Sequence, residues 1–340
     1  MTKFLAALAA LLLLPAPLLF CQEEEESTGG FELSIVPRMD ASYGSGEFNL
    51  GNSCLYSVFE GNITDNLFFS MSNHWASFGL DGGAWDKTYY TDLYRYLGHS
   101  DWNTMLDWMY LSWSLGNFEF NVGKNLIFSE GIEGDLFDYD VHPMLASSYW
   151  NNFAGYQWGA DIAWSNDAEN TTLAAQIATS PYGERPFSSN LYSYGLKWMG
   201  EYGPLYNLWT VSFIGTGESY FPLVSLGQTL EVTDGLALTL DWWNAVCDEE
   251  ALLLKGHSVY GTLAWKPIEK FEIQLKGGYE YASDPLFQDA FNGFRTGGAL
   301  HWYPLEDMRV HAAAGYDAAA KAFTGLVGIM YNFRIHIGGK

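Results

Sequence analysis

The sequence predicts an all-β fold: a transmembrane antiparallel β-barrel of about 16 strands, with short periplasmic turns and long external loops. Three observations carry that expectation. Stretches of roughly ten residues alternate polar and apolar side chains from Phe31 to the C-terminal segment, and successive side chains of a strand point to opposite faces. The connections alternate between tight and long. Aromatic residues make up 17% of the chain and charged residues only 16%, where a soluble domain carries about a quarter charged; this balance suits a lipid-facing sheet with aromatic girdles.

Residues 1–21 are expected to be an export signal. Lys3 supplies the positive start, and the apolar run 5–20 is broken by Pro15 and Pro17, too short for a comfortable helical span. Cleavage is the favoured reading, since Phe20 is a poor residue before a lipidated cysteine; lipidation of Cys21 is the alternative. Without residues 1–21 the chain keeps 319 residues and its formal charge moves from −24 to −25. Residues 22–30, with Glu23 to Glu26, form an acidic stub, and 31–340 the barrel.

Sixteen strands are predicted, at 31–41, 53–62, 67–77, 105–115, 118–126, 154–164, 171–180, 191–199, 207–215, 221–231, 236–246, 257–265, 271–282, 294–302, 308–316 and 323–334. The stretch 271–282 shows the pattern best: Phe271, Ile273, Leu275, Tyr279 and Tyr281 on one face, Glu272, Gln274, Lys276 and Glu280 on the other. Phe118, Phe120 and Val122 alternate with Glu119, Asn121 and Gly123, and Tyr156, Trp158, Ala160, Ile162 and Trp164 with Gln157, Gly159, Asp161 and Ala163. The stretches 53–62 and 308–316 allow either face outward. Tight connections fall at 64–66, 116–117, 165–170, 200–204, 233–235, 266–270 and 304–307, several carrying the Gly, Asn, Asp and Pro that turns require. The others are mostly longer, notably 78–104 and 127–153.

A secreted β-sandwich is the competing fold, but sixteen such strands exceed one sandwich, and Trp75, Trp108, Trp113, Trp164, Trp242, Trp243 and Trp265 gather near strand ends instead of strand centres. Sixteen strands also enclose a cylinder wide enough for water. Excess acid argues against nucleic acid as a partner, because polyanion binding needs clustered Lys and Arg. Cys54 and Cys247 form no disulfide framework and fall on strands expected far apart. No Gly-x-Ser-x-Gly elbow occurs and no His has a recognisable catalytic spacing, so neither an enzyme nor a cofactor is expected.

The chemistry concentrates in 127–153. Glu130, Glu133, Asp135, Asp138, Asp140 and His142 place five acids and a histidine within thirteen residues. A solvated loop explains such a run, and so does a ring of carboxylates at a constriction, which attracts cations. Asp138-x-Asp140-x-His142 offers oxygen ligands for calcium but lacks the glycine and final Glu of the helix-loop-helix site, so no metal is assigned. The inward strand faces are expected to carry Glu119, Lys124, Asp161, Asp241, Glu272, Lys276, Glu280 and Arg334.

The segment Trp113-Ser-Leu-Gly-Asn-Phe-Glu-Phe-Asn-Val-Gly-Lys124, followed by Gly131-Ile-Glu-Gly-Asp-Leu-Phe-Asp-Tyr-Asp-Val-His-Pro143 and Trp150-Asn-Asn-Phe-Ala-Gly-Tyr-Gln-Trp-Gly159, resembles the outer-membrane porins of Gram-negative anaerobes, related to the phosphate-selective porin O/P group. Glu60-Gly-Asn-Ile-Thr-Asp-Asn-Leu-Phe-Phe-Ser70 resembles their early hairpin. The motifs cover about a quarter of the chain. The resemblance implies a sixteen-strand diffusion porin, commonly a homotrimer, whose third external loop (here 127–153) folds into the lumen. Phosphate selectivity does not carry over, because without residues 1–21 fifteen Lys and Arg stand against forty acids and the loop has no Lys or Arg.

The expectation is therefore a passive porin of the bacterial outer membrane, embedded in its lipid and passing small hydrophilic solutes, with cation preference set by an acidic lumen and loop. The alternative is a plugged barrel or lipid-anchored surface protein that binds glycans through aromatic loops, with Trp85, Tyr89, Tyr90, Tyr94, Tyr96 and Trp102 as its platform.

Overall fold

The computed structural model describes residues 30–44, 47–49, 53–78, 106–129, 131–133, 145–147, 149–150, 155–183, 187–217, 219–245, 256–282 and 291–338. Its β-segments are β1 Phe31–Gly44, β2 Glu47–Asn49, β3 Ser53–Thr64, β4 Leu67–Phe78, β5 Leu106–Leu115, β6 Phe118–Leu126, β7 Tyr156–Ser165, β8 Thr171–Thr179, β9 Tyr192–Tyr202, β10 Leu205–Gly215, β11 Tyr220–Thr233, β12 Leu236–Ala245, β13 His257–Ile268, β14 Phe271–Ala282, β15 Phe291–Leu305, β16 Met308–Asp317, β17 Ala322–Tyr331 and β18 Phe333–Ile337.

All belong to one antiparallel sheet in which sequence neighbours pair. β1 closes it. One side of β1 pairs with β3 (Phe31↔Gly61 to Arg38↔Cys54), the other with β17 (Arg38↔Met330 to Gly44↔Thr324) and β18 (Phe31↔Ile337 to Ile35↔Phe333). β2 prolongs the β3 stave and β18 the β17 stave, so eighteen segments make sixteen staves. Closure leaves no strand edge without a partner, which a sheet in hydrocarbon requires.

The alternation has the predicted sense. On β14, Leu275 and Tyr279 are 54% and 49% exposed, whereas Lys276 and Glu280 are 2% and 0% exposed. The two ambiguous stretches resolve through register. Arg309, His311 and Ala313 face inward and Val310, Ala312 and Tyr316 outward; Cys54 pairs with the inward Arg38. Aromatic girdles ring both ends of the outer face. Trp113, Phe118, Trp164, Tyr202, Trp209 and Trp265 mark the turn end, and Tyr194, Phe213, Tyr220, Tyr279, Phe294, Tyr316 and Phe323 the loop end. Trp198 and Trp209 meet edge to face at 4.6 Å.

Two-residue turns join several hairpins, at Asp65-Asn66, Gly116-Asn117, Gly203-Pro204, Asp234-Gly235, Glu269-Lys270 and Glu306-Asp307. Gly116 and Gly203 have φ of 56° and 61°, the left-handed region that glycine enters without a Cβ penalty. The expected signal at 1–21, most of the acidic stub, Cys247 and the aromatic loop 79–105 lie outside the described residues.

Two tryptophans depart from the expected girdle. Trp243 is completely buried and points inward. Trp108 also faces the interior, where its Nε1 donates to Ser70 Oγ at 2.8 Å. Both sit near strand ends as expected; the phase of their alternation decides their face. The final stave also runs past the predicted 323–334, to Ile337, because β1 begins early enough to pair with it.

Candidate functional site: the lumen and its internal loop

The chain leaving β6 turns into the barrel and lies along the inner wall. Phe128 N donates to Gln176 Oε1 at 2.9 Å, Gln176 Nε2 donates to the Leu126 carbonyl at 2.9 Å, and Ser212 Oγ donates to the Phe128 carbonyl. Lys197 Nζ sits 4.2 Å above the Phe128 ring. Gly195 permits this approach, since a Cβ there would lie 2.6 Å from Phe128 Cβ.

Further along, Ile132 covers Gly227, and Gly131 fits against Asp241 and Ser225. Asp241 accepts from Glu133 N at 2.8 Å and Trp243 Nε1 at 3.1 Å. Glu133 in turn accepts from Ser147 N at 2.7 Å and from the Ser147 hydroxyl, and it forms an ion pair with Lys276. Neither charged side chain is more than 1% exposed. A buried pair of this kind holds only when its remaining hydrogen-bonding positions are satisfied, as Ser147 satisfies them for Glu133. Arg295 donates to the Ala146 carbonyl at 2.9 Å and pairs with Asp317 at 2.9 Å and Glu280 at 3.5 Å. Two apolar clusters complete the seam. Tyr149 packs with Ile214, Phe221, Leu223, Trp243 and Ala245, and Leu145 with Ala146, Ala299, Ala313 and Leu326.

The wall residues expected from sequence divide into two groups. Asp241, Glu272, Lys276 and Glu280 are buried in polar networks, Glu272 accepting from Gln274 at 2.6 Å and Tyr303 at 3.4 Å. Glu119 is exposed and Asp161 half-buried; Asn121 Nδ2 bridges them, donating at 2.8 and 2.9 Å. Arg334 pairs with Asp307 at 3.0 Å at the turn end. Lys124 pairs in register with Met109 and Trp158, is buried, unlike Phe118, Phe120 and Val122 of the same parity, and its amine donates to the Leu106 carbonyl at the strand end.

Of the five loop acids, Glu133 is described and faces the wall as an anchor. Glu130, Asp135, Asp138 and Asp140 lie outside the described residues, as does the Asp138-x-Asp140-x-His142 stretch. Sequence reasoning missed Glu60, Tyr110, Lys197 and Arg295, all inward by register, and the link across the closing seam. There Asp40 accepts from His311 Nε2 at 2.8 Å over Gly328 and pairs with Arg38 at 3.1 Å. Parity would have found Arg295 within 294–302; the contact between β1 and β16 had no local signal.

No protein-family model matches the chain, and a search of curated proteins gives no match. Solved structures do match. A doubly tryptophan-substituted variant of Rhodopseudomonas blastica porin superposes with a TM-score of 0.58 at 14% identity, covering 89% of this chain and all of that one. A triple variant of the same porin gives 0.56 at 14% identity with the same coverage. A third match, at 0.56 and 13% identity and again over 89% and 100% of the two chains, is an engineered protein described for its asymmetric conductivity. The chain therefore has the sixteen-stranded porin barrel fold.

The glycine contacts make one direct prediction. Valine at Gly227 would collide with position 132 whatever its side chain, since even a Cβ there comes within 2.6 Å of the Ile132 Cβ and 3.0 Å of its backbone nitrogen. Gly227→Val should lift the segment off the wall, so that an Ile132→Cys reporter reacts with a membrane-impermeant maleimide faster than it does in the parent barrel. Equal labelling would mean that the segment tolerates the collision in place.

Proposed function

We propose that this protein is a passive diffusion channel of the bacterial outer membrane, passing small hydrophilic solutes and preferring cations. The observation that carries the reading is a closed barrel, apolar outside and polar inside, with the described segments after β6 anchored against its inner wall, an arrangement that supports a selective pore. The motif resemblance supports placing it beside the porins of Gram-negative anaerobes, as a homotrimer in the outer membrane. An anion ladder is not supported. Of the described inward bases, Arg38, Lys276, Arg295 and Arg334 are ion-paired with carboxylates, Lys197 lies over the Phe128 ring and Arg309 is buried.

Cation preference rests on acids that carry no such partner. Glu60 accepts from Ser70 at 3.2 Å, and Glu119 and Asp161 share Asn121; among the described residues no base lies within ion-pairing distance of these three. Screening acts over about 8 Å at physiological salt, so carboxylates on the water-accessible wall govern passing ions more than those beneath the loop.

The test is a planar bilayer holding the refolded chain without residues 1–21 under a potassium chloride gradient. Stepwise conductance with a cation-favouring reversal potential is the expected result, and Glu60→Gln, Glu119→Gln and Asp161→Asn combined should move that potential toward zero. A folded barrel that never conducts would sink the channel reading; anion preference would remove only its charge argument.

A further inference from the structure

The loop contacts described above fall on the walls of β8 to β17, from Gln176 round to Leu326. Among the described residues, the inner face of β3 to β7 brings accessible carboxylates and aromatic rings together. Trp108 and Tyr110 occupy consecutive inward positions on β5. Trp108 is held by its Nε1 bond to Ser70 Oγ at 2.8 Å, and Ser70 bonds onward to Glu60 at 3.2 Å. Its ring also packs against Tyr156 at 5.5 Å. Cross-strand register places Glu60, Ser70 and Tyr110 in one row, and Ser112, Asn121 and Asp161 in the next. The Tyr110 phenol lies within electrostatic reach of Glu60, Glu119 and Asp161. Lys197 acts on Asp161 from β9 at longer range, leaving three acids against one base.

Resting on the channel reading, we propose that Trp108 and Tyr110, together with Glu60, Glu119 and Asp161, form a track selective for small organic ammonium ions over alkali cations of equal charge. Carboxylates draw in any cation. An aromatic face adds attraction only for one that sheds its water readily, which methylated ammonium does and strongly hydrated ions resist. The indole is fixed through Ser70, which also bonds Glu60, so one wall presents both interactions.

Bi-ionic reversal potentials test this, with potassium chloride on one side of the bilayer and tetramethylammonium chloride on the other. The parent channel should pass tetramethylammonium at least as well as its aqueous mobility relative to potassium allows. Trp108→Leu with Tyr110→Leu should lower the permeability ratio about two- to fivefold, a larger change than any accompanying shift in potassium-over-chloride preference. Trp108→Phe, which keeps a ring, should retain most of the ratio; it also serves should the double variant fail to show heat-modifiable folding. A parent ratio below the mobility ratio, or one insensitive to the aromatic substitutions, overturns the track and leaves the channel standing. No conductance at all overturns both.

Discussion

Glu133→Gln is expected to destabilise the barrel by about 3–5 kcal/mol, the usual effect of removing one member of a buried ion pair. The substitution preserves shape and one acceptor oxygen for Ser147 N, but its amide nitrogen cannot accept from the Ser147 hydroxyl, and the Lys276 ammonium, itself buried, loses its counter-charge. The loop is held by this pair, by Arg295 at the Ala146 carbonyl and by the two apolar clusters. Partial release should therefore raise single-channel conductance and its noise without abolishing the barrel. Two readouts apply: the urea midpoint of the heat-modifiable band, and conductance histograms. Replacing both charges, Glu133→Leu with Lys276→Met, should recover much of the midpoint, because the desolvation burden disappears with the pair. If Glu133→Gln matched the parent in both readouts, the pair would be incidental to loop position.

Leu275→Arg is the second large effect, and it tests the orientation of the wall. Leu275 is 54% exposed on the outer face midway along β14, so an arginine there must enter hydrocarbon, with a penalty of about 2–4 kcal/mol near the bilayer midplane. Refolding into vesicles should show a lower urea midpoint by that amount. Glu119→Arg gives the contrast: its side chain points to water inside, so stability should stay near that of the parent while the reversal potential moves toward anions. Equal stability losses at the two positions would contradict the assignment of faces.

These variants also separate what could be read residue by residue from what could not. All sixteen predicted strands are present, because alternation is a local property of a strand with lipid on one side and water on the other. The phase of the cleanest strand, β14, was likewise legible from Phe271 to Tyr281. Where both faces of a stretch are mixed, as in 53–62 and 308–316, only pairing to neighbours fixed the phase. Trp243 illustrates the limit. Its position near a strand end suggested a girdle, yet it faces inward to pack on Tyr149, a residue ninety-four positions earlier whose contact no local pattern encodes.

The acid-rich loop shows the same division more sharply. Its charge was plain in the sequence, but a carboxylate in water and a carboxylate sealed under a lysine look identical there. Glu133 became an anchor because Lys276 on β14 faces the same interior space, and the accessible acids proved to include Glu60, which drew no notice within its own strand. The sequence by itself determined the barrel, its strand count and its apolar outer surface, since each follows from short-range periodicity set against two solvents. Tertiary structure alone decided which inward charges are neutralised and which meet water, because that depends on contacts between strands and a loop far apart in the chain, where burial and pairing are settled together.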